Sequence, residues 1–389
     1  MPPVPTECGW CLGAQPPAAR VQRWERATYG TPALNVLMLA LGVTLVAIAT
    51  ADALHTLITT RRSSSPRWPT NTFYRKTWQP CRRLAQSMRS DHRRESFLAL
   101  YAPLSLLGLL LMWVTALIVG WALAWWAMRD QMDGVEQFGD ALYFSGVAFF
   151  TVGFGDVLPV GFVPRVLVLF EAMSGLTSIA LLIGYLPTLF SAYSDREAML
   201  LTLDDLADGR ITPLGLVVSI VRDGDPETAY PFFAEWERWT ARLLQSHTTY
   251  PMLMLFRSQH TGQSWLTGLG LVTDAAVTFA ACVPGADTRE PMRMYRRGAR
   301  TFEVLGERFR VTPSEQGAVS YEQFQAGYGI IASSGMALRP MDESFERVTA
   351  LRATYIPEME GLIDALLAPR GFWSHPVRAA DPTPHEADS

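Results

Sequence analysis

Three long apolar runs constrain this chain more than any other feature: Leu34 to Ile58, Phe97 to Met128 and Val163 to Tyr193. Each exceeds the ~20 residues that a helix needs to cross a hydrocarbon core. Lipid offers the backbone no hydrogen-bonding partner, so such segments must be helices that satisfy themselves. The second run has no charge in its interior and ends in Trp121, Trp125 and Trp126, an aromatic cluster suited to the membrane interface. The third is interrupted only by Arg165 near its start and by Glu171. The first carries Asp52 and His55, three residues apart near its C-terminal end, for which interfacial pairing near Arg61 and Arg62 is expected.

Charge sets the direction of threading. The linker 59–96 holds Arg61, Arg62, Arg67, Arg75, Lys76, Arg82, Arg83, Arg89, Arg93 and Arg94 against only Asp91 and Glu95. The positive-inside rule makes this loop cytoplasmic. Alternation then leaves the tail 1–33 outside and everything after about Ser194 in the cytoplasm, in a multi-pass protein of the plasma membrane. A net charge of −4 gives no reason to expect nucleic acid, and the arginines beside the membrane are suited to anionic lipid heads. Cys8 and Cys11 form a C-x-x-C pair with no further zinc ligand nearby, so a flexible tail with at most a local disulfide is expected.

Between the second and third runs lies a shorter apolar segment, Ala141 to Phe149, preceded by Asp140 as an expected N-cap. It is too short to span and suits a re-entrant half-helix. Then comes Phe149-Phe150-Thr151-Val152-Gly153-Phe154-Gly155-Asp156. Turning several successive carbonyls toward one axis demands backbone angles that glycine accepts and residues with a Cβ resist. Irregular backbone at membrane depth is tolerated where it lines a water-filled cavity or is buried in protein.

These residues resemble a potassium-channel selectivity filter of the Thr-Val-Gly-Tyr-Gly type, whose carbonyls replace the ion's hydration shell. Phe154 takes the aromatic position. Residues 97–193 are similar to the two-transmembrane-helix, pore-loop potassium channels, in which four identical chains surround one pore. The resemblance implies a homotetramer that conducts K+ passively. The ion would bind at Thr151, Val152, Gly153 and Phe154, with Gly155 completing the filter and Asp156 at its mouth. It implies no cofactor and no enzymatic activity. A glycine hinge is implied at Gly175, nineteen residues past Asp156, and Gly184 with Pro187 forms a second weak point. Close helix packing is the other reading of Gly175. Ile179 and Ile183, one turn apart, would line an apolar cavity. Two departures bear on selectivity: Phe150 stands where the family commonly has threonine. Val147 stands where some members have a glutamate bracing the filter aspartate. Glu171 is then either a substitute brace or a partner of the pore helix. The wider layout also looks like a bacterial channel group with an extra N-terminal membrane helix.

The expected architecture is an all-α membrane protein: three transmembrane helices (34–58, 97–128, 163–193), a re-entrant pore helix and filter (139–156), and a mainly helical cytoplasmic domain (194–368). A disordered tail (369–389) would follow. Helical periodicity covers Ala198 to Leu206, Leu214 to Val221, Phe232 to Gln245, Gln263 to Cys282, Met292 to Phe309 and Phe345 to Leu367. Leu266 to Val283 is apolar enough to suggest a span, but Asp274 favours a buried helix of the soluble part. A polar cluster containing His247, Tyr250, Arg257, His260 and Trp265 is either a ligand pocket or the contact between this domain and the pore. Other classes remain in view: a weakly selective cation channel, or a non-conducting sensor on a channel scaffold. A transporter would need repeated halves, and an enzyme would need a nucleophile, carboxylate pair or metal set that the spacing does not offer.

Overall fold

The structure, a computed structural model, describes residues 31–57, 68–204, 206, 210–258, 264–314, 316–370 and 377–378. Nearly all of it is helical, as expected of an all-α membrane protein. Four helices are long and apolar enough to cross a membrane. Three are α1 (Pro32–Leu57), α3 (Asp91–Ala127) and α5 (Phe162–Asp204), and the fourth is α8 (Trp265–Cys282). The most apolar windows of α1 and α5 are only 11% buried, whereas that of α8 is 89% buried. An apolar helix shielded by its own chain has no need of lipid, and Asp274 on α8 is held by Arg352 inside the bundle.

The chain divides into two compact units, one comprising the described residues up to Val46 with Ile118–Ala172 and the other Ala47–Leu117 with the described residues from Met173 onward. In the first unit, α1 crosses the end of α3 closely. A Cβ on Gly42 would lie 2.5 Å from the Gly120 carbonyl oxygen, and one on Gly120 would lie 2.8 Å from Val46 Cγ2. Small residues allow such backbone approach where lipid supplies no hydrophobic drive between helices. Gly42→Val is therefore expected to cost about 1–3 kcal/mol through overpacking, read as a lower melting temperature in detergent. An unchanged melting temperature would mean that the contact is slack. This unit also holds the short helix α4 (Phe138–Phe149) and a short antiparallel pair, β1 (Met132–Asp133) with β2 (Leu158–Pro159), in the register Met132↔Pro159 and Asp133↔Leu158.

In the second unit, the basic linker contains a helix that periodicity did not announce, α2 (Pro69–Ser87). Proline suits its first position because that N–H has no helical partner. Buried Asp52 accepts from the Thr70 backbone N–H at 3.1 Å, the Thr70 hydroxyl at 2.6 Å and Trp113 Nε1 at 2.8 Å. The carboxylate thus caps the N-terminus of α2, where the helix dipole favours negative charge. The expected arginine partners, Arg61 and Arg62, lie outside the described residues. His55 lies against the Trp68 ring at 5.0 Å.

The rest of this unit is a helical bundle: α6 (Pro213–Ile220), α7 (Tyr230–Thr249), α8, α9 (Arg289–Phe309), α10 (Tyr321–Ala332), α11 (Met341–Arg352) and α12 (Ile356–Leu366). Its core is built around α8, with Trp236, Phe233, Phe279, Phe302 and Tyr355 almost wholly buried. The expected helix from Phe345 to Leu367 is two helices, separated by a turn at 353–355. The expected end of the inner helix at Tyr193 also shifts, because α5 continues to Asp204 and turns Met199, Leu200 and Leu203 into the bundle core. Within the expected disordered tail, β4 (Val377–Arg378) pairs with β3 (Arg210–Ile211). Residues 371–376 and 379–389 lie outside the described residues, as do Cys8 and Cys11.

Candidate functional site

The run Thr151–Asp156 stands at the end of α4, whose far side is fixed by side chains. Gln137, not Asp140, is the N-cap; Asp140 sits in the first turn and accepts from the Gln137 and Glu136 N–H groups at 2.8 and 2.9 Å. A carboxylate three residues into a helix can reach back in this way, which the dipole also favours. Ala141 and Phe144 face a small core with Trp125, Met132 and Val157. The Phe144 ring meets Trp125 edge-on at 5.3 Å. Buried Glu171 joins three helices: Trp125 Nε1 of α3 donates to its Oε2 at 2.7 Å, and the Ser145 hydroxyl of α4 donates to its Oε1 at 2.5 Å. The Ile118 carbonyl lies 2.8 Å from the same hydroxyl. Glu171 therefore reaches α4 through Ser145, and the hydroxyl that meets the Asp156 carboxylate is that of Tyr143.

Past α4 the backbone leaves the helix. Phe150, Thr151 and Val152 still donate to Gly146, Ala148 and Val147 carbonyls at 2.9–3.1 Å. Then Thr151, Gly153 and Gly155 adopt φ of +56°, +64° and +80°. Left-handed backbone is cheap for glycine and costs an L-residue such as Thr151 roughly 1–2 kcal/mol, and such strain concentrates at functional sites. Thr151 to Asp156 are all exposed, Phe154 at 69%, and a Cβ on Gly153 or Gly155 would meet nothing of its own chain. The segment is thus anchored from behind and uncovered in front. Phe149 is buried, whereas Phe150 is half-exposed.

On α5, Gly175 is buried, while Ile179 and Ile183 are exposed, at 41% and 68%. The helix runs without a break through Gly175, Gly184 and Pro187. Around Gly184 a Cβ would meet nothing.

The expected polar cluster divides. Tyr250 stacks edge-on against Tyr185 of α5 at 5.6 Å. His247 is buried against Trp265 at 4.8 Å, with Nδ1 2.9 Å from the Leu243 carbonyl and Nε2 3.4 Å from Arg196 NH1. This network assigns the proton to Nδ1, leaving Nε2 as the acceptor. Arg257 reaches α12 and Glu95. His260 lies outside the described residues. Sequence reasoning did not single out Arg196 or the role of Tyr193; the available signal was the apolar periodicity continuing past Tyr193. Among the described residues no group of three or more His, Cys, Asp or Glu is placed to hold a metal ion.

Burial, reinforced by the Arg196 guanidinium, holds His247 well below the ordinary histidine value of 6.5. The folded state then binds fewer protons than the unfolded one, so stability falls as pH drops below about 6.5. The melting temperature is expected to decline on acidification through that range, and less steeply in His247→Asn. Equal slopes would remove His247 from the acid response.

Comparison with known proteins agrees with this geometry. Residues 108–192 match the family model described as "Ion channel". The chain is also 23% identical over 230 residues to the "Uncharacterized membrane protein YdjJ" of Bacillus subtilis (strain 168), covering 58% of this chain and 64% of that protein. It therefore spans less than two thirds of the length of this curated relative. No solved structure matches the chain.

Proposed function

With an ion-channel domain over residues 108–192 as the premise, we propose that the protein is a subunit of a homotetrameric, potassium-selective channel of the plasma membrane. The observation that carries this reading is the run Thr151–Asp156. Its left-handed positions are at Thr151, Gly153 and Gly155, and its face is exposed, although the helix beneath it is packed. Four such runs about one axis would present rings of carbonyls from Thr151, Val152, Gly153 and Phe154 to a dehydrated K+ and cover one another. Passive conduction follows, with knock-on between adjacent sites and no cofactor or enzymatic step. Ile179 and Ile183 would face the water-filled cavity, where an apolar constriction gates by dewetting. Gly175, Gly184 and Pro187 supply the places where the inner helix bends. The helical domain from Ser194 onward would lie in the cytoplasm and bias that bend, with a ligand as its input. The basic residues of 59–96 would meet anionic lipid heads.

Reversal potentials of the purified, reconstituted protein under opposed potassium and sodium gradients test this reading, together with the mass of the detergent-solubilised complex. A potential close to the potassium value from a four-chain particle is the expected result. Equal permeability would leave a weakly selective cation channel, with half-exposed Phe150 at the start of the filter as its origin. No current at any pH, voltage or calcium level would favour a sensor built on a channel scaffold.

A further inference from the structure

Below Gly184, one face of α5 grips a single short segment. Tyr185, Leu189, Tyr193 and Arg196 recur at helical spacing, and all four meet residues 250–257, which follow α7 directly. The Tyr185 hydroxyl donates to Met252 Sδ at 3.2 Å. Leu189 is fully buried in a cluster with Leu253 and Phe256. The Tyr193 ring lies 5.6 Å from that of Phe256, and its hydroxyl donates to the Arg257 carbonyl at 3.1 Å. Buried Arg196 donates to the Leu253 and Phe256 carbonyls at 2.9 and 3.0 Å. A guanidinium desolvated against two carbonyls makes strong, geometrically specific bonds.

The other side of the same segment is tied to the bundle. Arg257 donates to the Leu366 and Leu367 carbonyls at 2.5 and 3.2 Å, and its guanidinium lies 3.7 Å from Glu95 at the start of α3. The last carbonyls of a helix lack intrahelical donors and attract cations, so Arg257 seals the C-terminal end of α12. Trp78 and Arg82 of α2 donate to the neighbouring Ala365 and Asp364 carbonyls at 3.3 and 3.1 Å.

We propose that residues 250–257 form the coupler through which the helical bundle sets the position of the inner helix, with Arg257 as its positioning residue. The inference rests on the channel reading above and deepens it. Because Tyr185 is already held, Pro187 moves with the coupler. Of the bending places proposed above, this removes Pro187 and assigns the bend to Gly184, where a Cβ would meet nothing, or to Gly175. A rearrangement of α12 reaches α5 through Arg257, since its side chain holds α12 while its own carbonyl is held by Tyr193.

The test uses the full-length protein reconstituted as wild type, Arg257→Gln, Tyr193→Phe and the double variant. Each single change is expected to shift open probability by about threefold or more, as coupling energies of this kind do. The double variant should shift it no further than the stronger single, because both cut one linkage. Reversal potential should stay unchanged, and Arg257→Lys, which keeps the charge and loses the fork, should fall between. Hydrogen exchange on the same proteins gives a reading independent of current. Arg257→Gln should speed exchange in 251–256 and 189–204 by about tenfold, with α8 unaltered. A potassium current whose open probability ignores both variants overturns the coupler and leaves the pore reading intact. Unchanged exchange in both segments also overturns it. Accelerated exchange in a protein that carries no current supports the linkage while the pore reading fails.

Discussion

Gly153→Ala is expected to abolish selective potassium conduction while leaving the fold in place. Gly153 sits at φ +64°, where an L-residue is disfavoured by about 1–2 kcal/mol. In a tetramer the cost arises four times over, at one ring. A Cβ there meets nothing within its own chain, so in the proposed tetramer the damage would be confined to the filter backbone and the neighbouring copies. The carbonyl before or after the substitution turns away from the axis, and the ion loses a ring of ligands that replaced its water. The check is a reversal potential under potassium and sodium gradients, with helix content and particle mass measured on the same sample. Selectivity that survives the substitution, in a particle of unchanged mass, would remove the carbonyl filter from the account.

Glu171→Ala should have the largest effect on stability. Its carboxylate takes donors from Trp125 and Ser145, and truncation orphans the indole N–H in a buried site. An unsatisfied buried donor costs about 1–3 kcal/mol. Ser145 keeps the Ile118 carbonyl as an acceptor, which limits the loss on that side. The pore helix would then loosen against α3 and α5, which should lower the melting temperature and the yield of the assembled particle. Glu171→Gln keeps one acceptor oxygen and should fall between. Wild-type stability in the alanine variant would show that the three helices do not need this carboxylate to hold together.

The two cases also show what sequence reading reaches. The run 149–156 is local: its glycines, its flanking apolar segments and its short half-helix are all visible within about a hundred residues, and each follows from backbone sterics or bilayer thickness. Glu171 was conspicuous as a carboxylate in an apolar run, but its partners lie 26 and 46 positions upstream, and no periodicity links them. Asp140 was assigned one turn too late as a cap because a carboxylate at the third helical position reaches the same N–H groups as one at the cap. The helix α2 was hidden because Pro80 interrupts it from within, and its apolar contacts, such as Trp78 against Tyr101 at 5.0 Å, are made with α3. Gly327-Tyr328-Gly329, filter-like in letters alone, lies within α10; a Cβ on Gly327 would come within 2.7 Å of Leu214.

The sequence alone determined that this chain is a helical membrane protein, because lipid crossing depends on run length and apolarity, properties of consecutive residues. Tertiary structure decided the rest. It showed that α8 is shielded by protein, that Asp52 caps a helix, and that α5 extends past Tyr193 to hold residues 250–257. These outcomes depend on which distant groups meet, and a buried polar group takes whichever partner the packing brings within about 3 Å.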